Sequence, residues 1–150
     1  TYGHLVGSQV LKEVGYLLRR TTADRDAVIA RYGGDEFTVL LPGASAEEAA
    51  EAAEEIRAAI ENATFLELER GPDLPALALK GAVTASLGVA ATNGQQWVEG
   101  ADEGPDPVQR LLRRADRAMY VAKEAGKNRV RVARAEGDAA PPLAGQGRVS

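Results

Sequence analysis

The 150-residue sequence contains no cysteine. Disulfides and thiolate metal sites are thereby excluded, and a cytoplasmic location is expected. No stretch approaches the roughly 20 apolar residues of a membrane span, and the N-terminus lacks a charged-then-apolar signal pattern, so no membrane insertion is expected within this chain. There is no Walker loop, no Rossmann Gly-x-Gly-x-x-Gly and no internal repeat. Positive charge is also scarce relative to negative: 18 Lys and Arg face 22 Asp and Glu, for a net −4. No broad basic face is offered to a nucleic acid polymer, and any phosphate must be held by a few placed cations. What remains is ordinary globular material, 45% apolar and 27% charged, long enough for one domain with its own core.

The chain is organised around Ala27 to Pro42, AVIARYGGDEFTVLLP. Two apolar runs flank a Gly-Gly turn and two carboxylates, the pattern of a β-hairpin with an acidic tip. Gly33 and Gly34 can both take positive φ, which lets Arg31-Tyr32 and Phe37-Thr38 pair across the turn. Asp35 and Glu36 then repel each other unless a cation, a donor or solvent compensates them. A divalent metal does so best where phosphate also binds, and a solvated acidic turn is the alternative.

Before the hairpin, Leu5, Val6, Val10, Leu11, Val14, Leu17 and Leu18 form a helical stripe over Leu5 to Arg20, and Thr21 to Asp26 is a polar loop. After it, Ser45 with Glu48 is a capping-box signature for a helix from Ala46 to Ala63, with Ala49, Ala53, Ile56 and Ile60 inward. Phe65 to Glu69 alternates like an edge strand, with Leu74 to Leu79 as its candidate partner. Ala82 to Ala90 reads as a strand, and Thr92 to Pro107 as a loop rich in Gly and Pro. Pro107 suits the first turn of a helix over Val108 to Ala125, with Leu111, Leu112, Ala115, Ala118, Met119 and Ala122 on one side; Gly126 stops it. A last strand spans Asn128 to Ala133. Residues 135–150, rich in Ala, Gly and Pro, read as a disordered tail or linker. Hairpins with helices between them indicate an α+β sheet covered by helices.

Three places carry candidate chemistry. The acidic tip is one. Lys123 and Lys127 are another: four positions apart, they point the same way if both are helical, although Lys127 can fall just past the helix end. Such a pair either shares an anion such as a triphosphate or is a solvated face. The third is Gly3-His4-Leu5-Val6-Gly7-Ser8, where two glycines let a ligand approach the backbone near a helix start. His4, the single histidine, is a ligand contact there or a capping or packing group.

The motifs Arg31-Tyr32-Gly33-Gly34-Asp35-Glu36-Phe37, Ser86-Leu87-Gly88-Val89-Ala90 and Ala115 through Arg129, ADRAMYVAKEAGKNR, resemble in order and spacing those of a GGDEF domain, the diguanylate cyclase family. The resemblance covers about residues 1–134. It implies a palm-like domain similar to nucleotidyl cyclases, with a central, mostly antiparallel sheet wrapped by helices. It also implies a homodimer in which each domain holds one nucleoside triphosphate and each 3′-hydroxyl attacks the partner's α-phosphate. On that resemblance Asp35 ligates Mg²⁺, with Mn²⁺ as a substitute, and helps activate the hydroxyl, while Glu36 contacts substrate or orients the loop. Gly33 and Gly34 leave room for the nucleotide, Lys123 and Lys127 bind phosphate, and His4 and Ser8 belong to the substrate-binding stretch. An upstream sensory or receiver domain is implied as the regulator.

Three departures shape the expectations. The family's opening strand, with a second metal-binding Asp and a base-binding Asn, falls before Thr1. The chain is therefore expected to be a piece of a longer protein and inactive alone. Ser8 stands where the family usually has Asp. A carboxylate only accepts hydrogen bonds and so favours guanine N1-H, whereas a hydroxyl also donates, and this change resembles the branch that makes cyclic GMP-AMP as well as cyclic di-GMP. Use of both GTP and ATP is expected, unless Ser8 merely caps a helix. The family's product-inhibition Arg-x-x-Asp falls on Asp24 and Ala27, with Arg25 and Asp26 out of register, so that site is expected to be missing. The alternatives to an enzyme are a degenerate GGDEF module that binds nucleotide without turnover and acts in signalling, and a plain dimerisation domain.

Overall fold

Each amphipathic stretch becomes a helix where a local signal bounds it. The computed structural model describes residues 3–92 and 106–134. In chain order it has α1 (Gly3–Thr21), β1 (Val28–Gly33), β2 (Glu36–Leu40), α2 (Ala46–Asn62), β3 (Thr64–Phe65), β4 (Leu79–Lys80), β5 (Leu87–Val89), α3 (Pro107–Glu124) and β6 (Val130–Val132). The expected capping box starts α2: the Glu48 amide donates to Ser45 Oγ at 3.1 Å, and the Ser45 amide to Glu48 Oε2 at 2.7 Å. Asp106 caps α3 by accepting from the Val108 amide at 3.0 Å, and Pro107 fills the first helical position, where no N–H is needed. Gly126 ends α3 in the left-handed region at φ +111°. The Thr92–Pro107 loop reading, apart from its ends, and the tail reading of 135–150 lie outside the described residues.

Val14 and Leu18 from α1, Ile56 and Ile60 from α2, and Phe65 with Leu66 form the buried core, and Ile29, Phe37 and Val39 of the hairpin pack against it. Burial of each such side chain contributes about 1.5–3 kcal/mol. On α2 it is Ala52, not Ala49, that joins Ala53, Ile56 and Ile60 among the buried residues. Phe65, expected on an edge strand, is 1% exposed. The chain turns inward there because Leu66 sits at φ +55°, its amide held by Glu13 Oε2 of α1 at 3.0 Å and its carbonyl accepting from the Leu77 and Ala78 amides.

The α+β class expected from the sequence is present, but the strands divide differently. Among the described residues they form three separate pairs: β1 with β2 and β3 with β4 antiparallel, β5 with β6 parallel. The strand expected over Ala82–Ala90 is only Leu87–Val89, and that expected over Asn128–Ala133 only Val130–Val132. Lys127 and Asn128 have φ of +60° and +46°, so β6 extends only after this turn, and β5 is paired over the same short length.

Helix α3 lies on β5 and β6, and α2 also meets both strands. The seat of α3 is Gly88: a Cβ there would overlap the Ala115 carbonyl oxygen and the Met119 amide nitrogen. Helix α2 is tied to the turn before β6 by Arg57, which donates to Glu61 at 2.7 Å and to Asn128 Oδ1 at 2.9 Å, while Asn128 Nδ2 donates to Glu61 Oε1 at 2.7 Å. No helix among the described residues is long and apolar enough to cross a membrane.

Gly88→Ala must push α3 off β5, and overpacking against backbone costs about 3 kcal/mol, so its melting temperature falls by roughly 10 °C in a thermal scan. A second outcome concerns acid. Hydrogen bonds from Arg57 hold the Glu54 and Glu61 carboxyls below the ordinary 4.5. A carboxyl depressed in this way stabilises the fold above its unfolded-state pKa, and the contribution is lost as pH falls through the folded-state value. The melting temperature of Glu61→Gln therefore lies below wild type at neutral pH, and the gap closes below about pH 4.

Candidate active site

The hairpin tip is built by register. Val28, Ile29, Ala30 and Arg31 pair with Leu40, Val39, Thr38 and Phe37, and Gly33 pairs with Glu36, leaving Gly34 and Asp35 as the two turn residues. Tyr32 is the extra residue where the register shifts, and it is 77% exposed. Of the two glycines expected to need positive φ, only Gly34 does, at +52°; Gly33 remains in β1. The reason is the length of the turn: a two-residue connection leaves Gly33 in the ladder. A Cβ at either glycine would meet nothing within 4 Å, so the space over the turn is open.

Arg31 was not singled out from the sequence. Its Nε and a terminal nitrogen both donate to the Gly34 carbonyl, at 3.0 and 2.6 Å, which fixes the peptide unit that leads into Asp35. The available signal was a long cationic side chain three residues before a turn carbonyl that the hairpin ladder leaves without a partner. Asp35 is exposed and Glu36 half-buried.

Two sequence-predicted residues from distant parts of the chain meet here. Lys123 Nζ, near the end of α3, lies 3.8 Å from Glu36 Oε1, with side chains 44% and 42% exposed. A pair this long and open is worth about 0–1 kcal/mol, so Lys123 gives up little when a stronger anion arrives. Lys127 does not extend the helical spacing expected of a pair four apart. It lies beyond the end of α3, because Gly126 and Lys127 both turn left-handed, and its amide donates to the Ala122 carbonyl at 3.1 Å.

His4 and Ser8 lie one turn apart on α1, a different element from the hairpin. His4 is exposed in the first turn and so is not a packing group; Ser8 is half-buried in the helix interior and so is not its cap. Cβ atoms built at Gly3 and Gly7 meet nothing within 4 Å. Arg25 is held by α2, donating to both carboxylate oxygens of Glu55 at 3.0 and 3.1 Å.

Among the described residues no group of three or more His, Cys, Asp or Glu is placed to hold a metal. Asp35 and Glu36 offer adjacent hard oxygen donors, which suits a cation that binds through one or two carboxylates and takes its other ligands from water and phosphate. It does not suit one that needs a full protein cage.

The α+β domain thus sets an open acidic turn against a lysine carried on a helix. The chain belongs to the GGDEF family: the family described as diguanylate cyclase, GGDEF domain, matches residues 1–129. The chain is 37% identical over 130 residues to diguanylate cyclase DosC of Escherichia coli, covering 87% of this chain and 24% of that protein. It is 41% identical over 131 residues to YhcK of Bacillus subtilis, covering 86% and 31%. It thus spans about a quarter to a third of the length of these curated relatives. Among solved structures it is similar to the coiled coil and GGDEF domain of DgcB from Caulobacter crescentus, solved with c-di-GMP. The TM-score is 0.65 at 32% identity, covering 89% of this chain and 61% of that one, which supports the palm-like α+β fold.

Arg31→Met keeps the aliphatic stem and removes both donors to Gly34. Amide hydrogen exchange across Gly33–Glu36 is expected to quicken about tenfold, the loss of one charge-assisted hydrogen bond, with little change in melting temperature.

Proposed function

We propose that this chain is the catalytic domain of a cyclic-dinucleotide synthase that joins two nucleoside triphosphates. The observation that carries the reading is the meeting of the intact Gly33-Gly34-Asp35-Glu36 turn with Lys123. Membership of the diguanylate cyclase family supports it. The 3′-hydroxyl oxygen of one nucleotide attacks the α-phosphorus of the other; a P–O bond forms, the bond to the β-phosphate oxygen breaks, and pyrophosphate leaves. A second displacement closes the ring, which calls for two domains face to face.

In this scheme Lys123 leaves Glu36 for the triphosphate, and Lys127 adds a second cation. Gly33 and Gly34 admit the nucleotide to the open side of the turn. Asp35 helps draw off the hydroxyl proton and would hold the divalent cation, while Glu36 contacts the substrate or orients the turn. That cation, Mg²⁺ or Mn²⁺, supplies charge neutralisation at the transferring phosphoryl group when bound. His4 and Ser8 contact the base-bearing end, and the Ser8 hydroxyl, able to donate as well as accept, admits adenine beside guanine. The full-length protein is then a cytoplasmic enzyme under an upstream regulatory domain, making cyclic GMP-AMP together with cyclic di-GMP.

The test is product analysis of the full-length protein given equal GTP and ATP. Cyclic GMP-AMP and cyclic di-GMP are expected together. Ser8→Asp shifts the output toward cyclic di-GMP by at least about tenfold, as expected when a base-specific hydrogen bond is restored. Asp35→Asn abolishes both. Cyclic di-GMP alone from wild type removes the mixed specificity, and nucleotide binding without any product replaces the enzyme with a binding module.

A further inference from the structure

We infer that Asn128, Glu61 and Arg57 are positioning residues that fix Lys127 for the triphosphate; this rests on the phosphate-binding role of Lys127 proposed above. The residues between α3 and β6 have no regular structure to hold them. Gly126, Lys127 and Asn128 are all left-handed, at φ +111°, +60° and +46°. For the last two, a non-glycine residue in that region is unfavourable and persists only where surrounding contacts hold it. The contacts here are specific. Arg129 Nε donates to the Lys127 carbonyl at 3.0 Å, and the Lys127 amide donates to Ala122 at 3.1 Å.

The side chain next to Lys127 completes the clamp. Asn128 uses both ends of its amide, accepting from Arg57 at 2.9 Å and donating to Glu61 at 2.7 Å. Arg57 and Glu61 also bond each other at 2.7 Å, closing a triangle of three charge-assisted contacts, and Glu54 holds Arg57 from the other side at 2.7 Å. The Arg57 side chain is only 16% exposed, so this is a partly desolvated network rather than a loose surface pair. Helix α2 itself belongs to the core through Ile56 and Ile60, residues that flank Arg57 and Glu61. The backbone at position 127 is therefore referenced to the core through α2, in addition to its tie to α3 at the Ala122 carbonyl. A lysine on a left-handed residue has its direction set by that backbone, so release of Asn128 lets Lys127 sweep a wider volume and hold phosphate less well.

The experiment measures binding to the full-length protein of a GTP analogue with a methylene bridge between α- and β-phosphorus, and of guanosine, which has no phosphate. Asn128→Gly is the informative variant, because glycine keeps the left-handed backbone while removing the side chain. It is expected to weaken the analogue about fivefold and guanosine less than twofold, and to add nothing once Lys127→Ala is present, the signature of coupled residues. Glu61→Ala should give the same pattern from the α2 side and serves as the measurement if Asn128→Gly does not fold. Unchanged analogue affinity in Asn128→Gly, equal weakening of guanosine, or full additivity with Lys127→Ala would each overturn the inference while the enzyme reading stands. If Lys127→Ala itself leaves the analogue unaffected, the phosphate role of Lys127 falls and the inference falls with it.

Discussion

The close approach of α3 to β5 at Gly88 is the constraint on which the site depends. Backbone lies against side-chain-free backbone there, with Ala115 and Met119 on the helix side. Met119 is one helical turn before Lys123, so the residues that seat the helix and the residue that reaches the hairpin lie along one line of it. A glycine on a short strand thereby determines where an ammonium group ends up relative to Glu36, 3.8 Å away. Packing at the seat and electrostatics at the tip are one mechanical system.

Charge is distributed to suit this. The chain is net negative, yet residues 106–134 hold nine of its 18 cations and only three of its 22 carboxylates. Helix α2 is the reverse, with six glutamates against Arg57. Screening in physiological salt acts over about 8 Å, so a ligand at the end of α3 responds to the local excess rather than to the sum over the molecule. An acidic protein can therefore hold polyphosphate, provided its cations are placed. The single arginine of α2 is committed twice over, to its own glutamates and to Asn128.

What was legible in the sequence follows the range of the interactions. The hairpin, the Ser45–Glu48 capping box, Pro107 at the start of α3 and Gly126 at its end are set by residues within a few positions of one another, and the structure has each of them. Strand extent was not legible. The alternation over Ala82–Ala90 shows that these residues can be extended, but pairing needs a partner, and β6 offers three residues. Nor was the inward turn at Leu66, where a positive φ on a branched residue runs against local preference and is stabilised by Glu13 from 53 positions away. The same holds for Asn128 and Arg57, 71 positions apart. The two lysines were found as a pair, but the left-handed geometry of the second was visible only as the ambiguity that Gly126 created.

The division of labour along the chain has a physical reason. The turn at Gly34-Asp35 lies open to solvent and is braced locally by Arg31. Such an open turn leaves room for charged groups to enter and leave. Selection between purines needs the opposite: a donor or acceptor whose position is fixed and whose partner is partly removed from water, so that an unmatched base leaves it unsatisfied. Ser8 is more enclosed than Gly34 or Asp35 on the turn, being half-buried inside a 19-residue helix whose far end carries Val14 and Leu18 into the core. On the function proposed above, a side chain on α1 would change which base is admitted without disturbing the carboxylates on the hairpin.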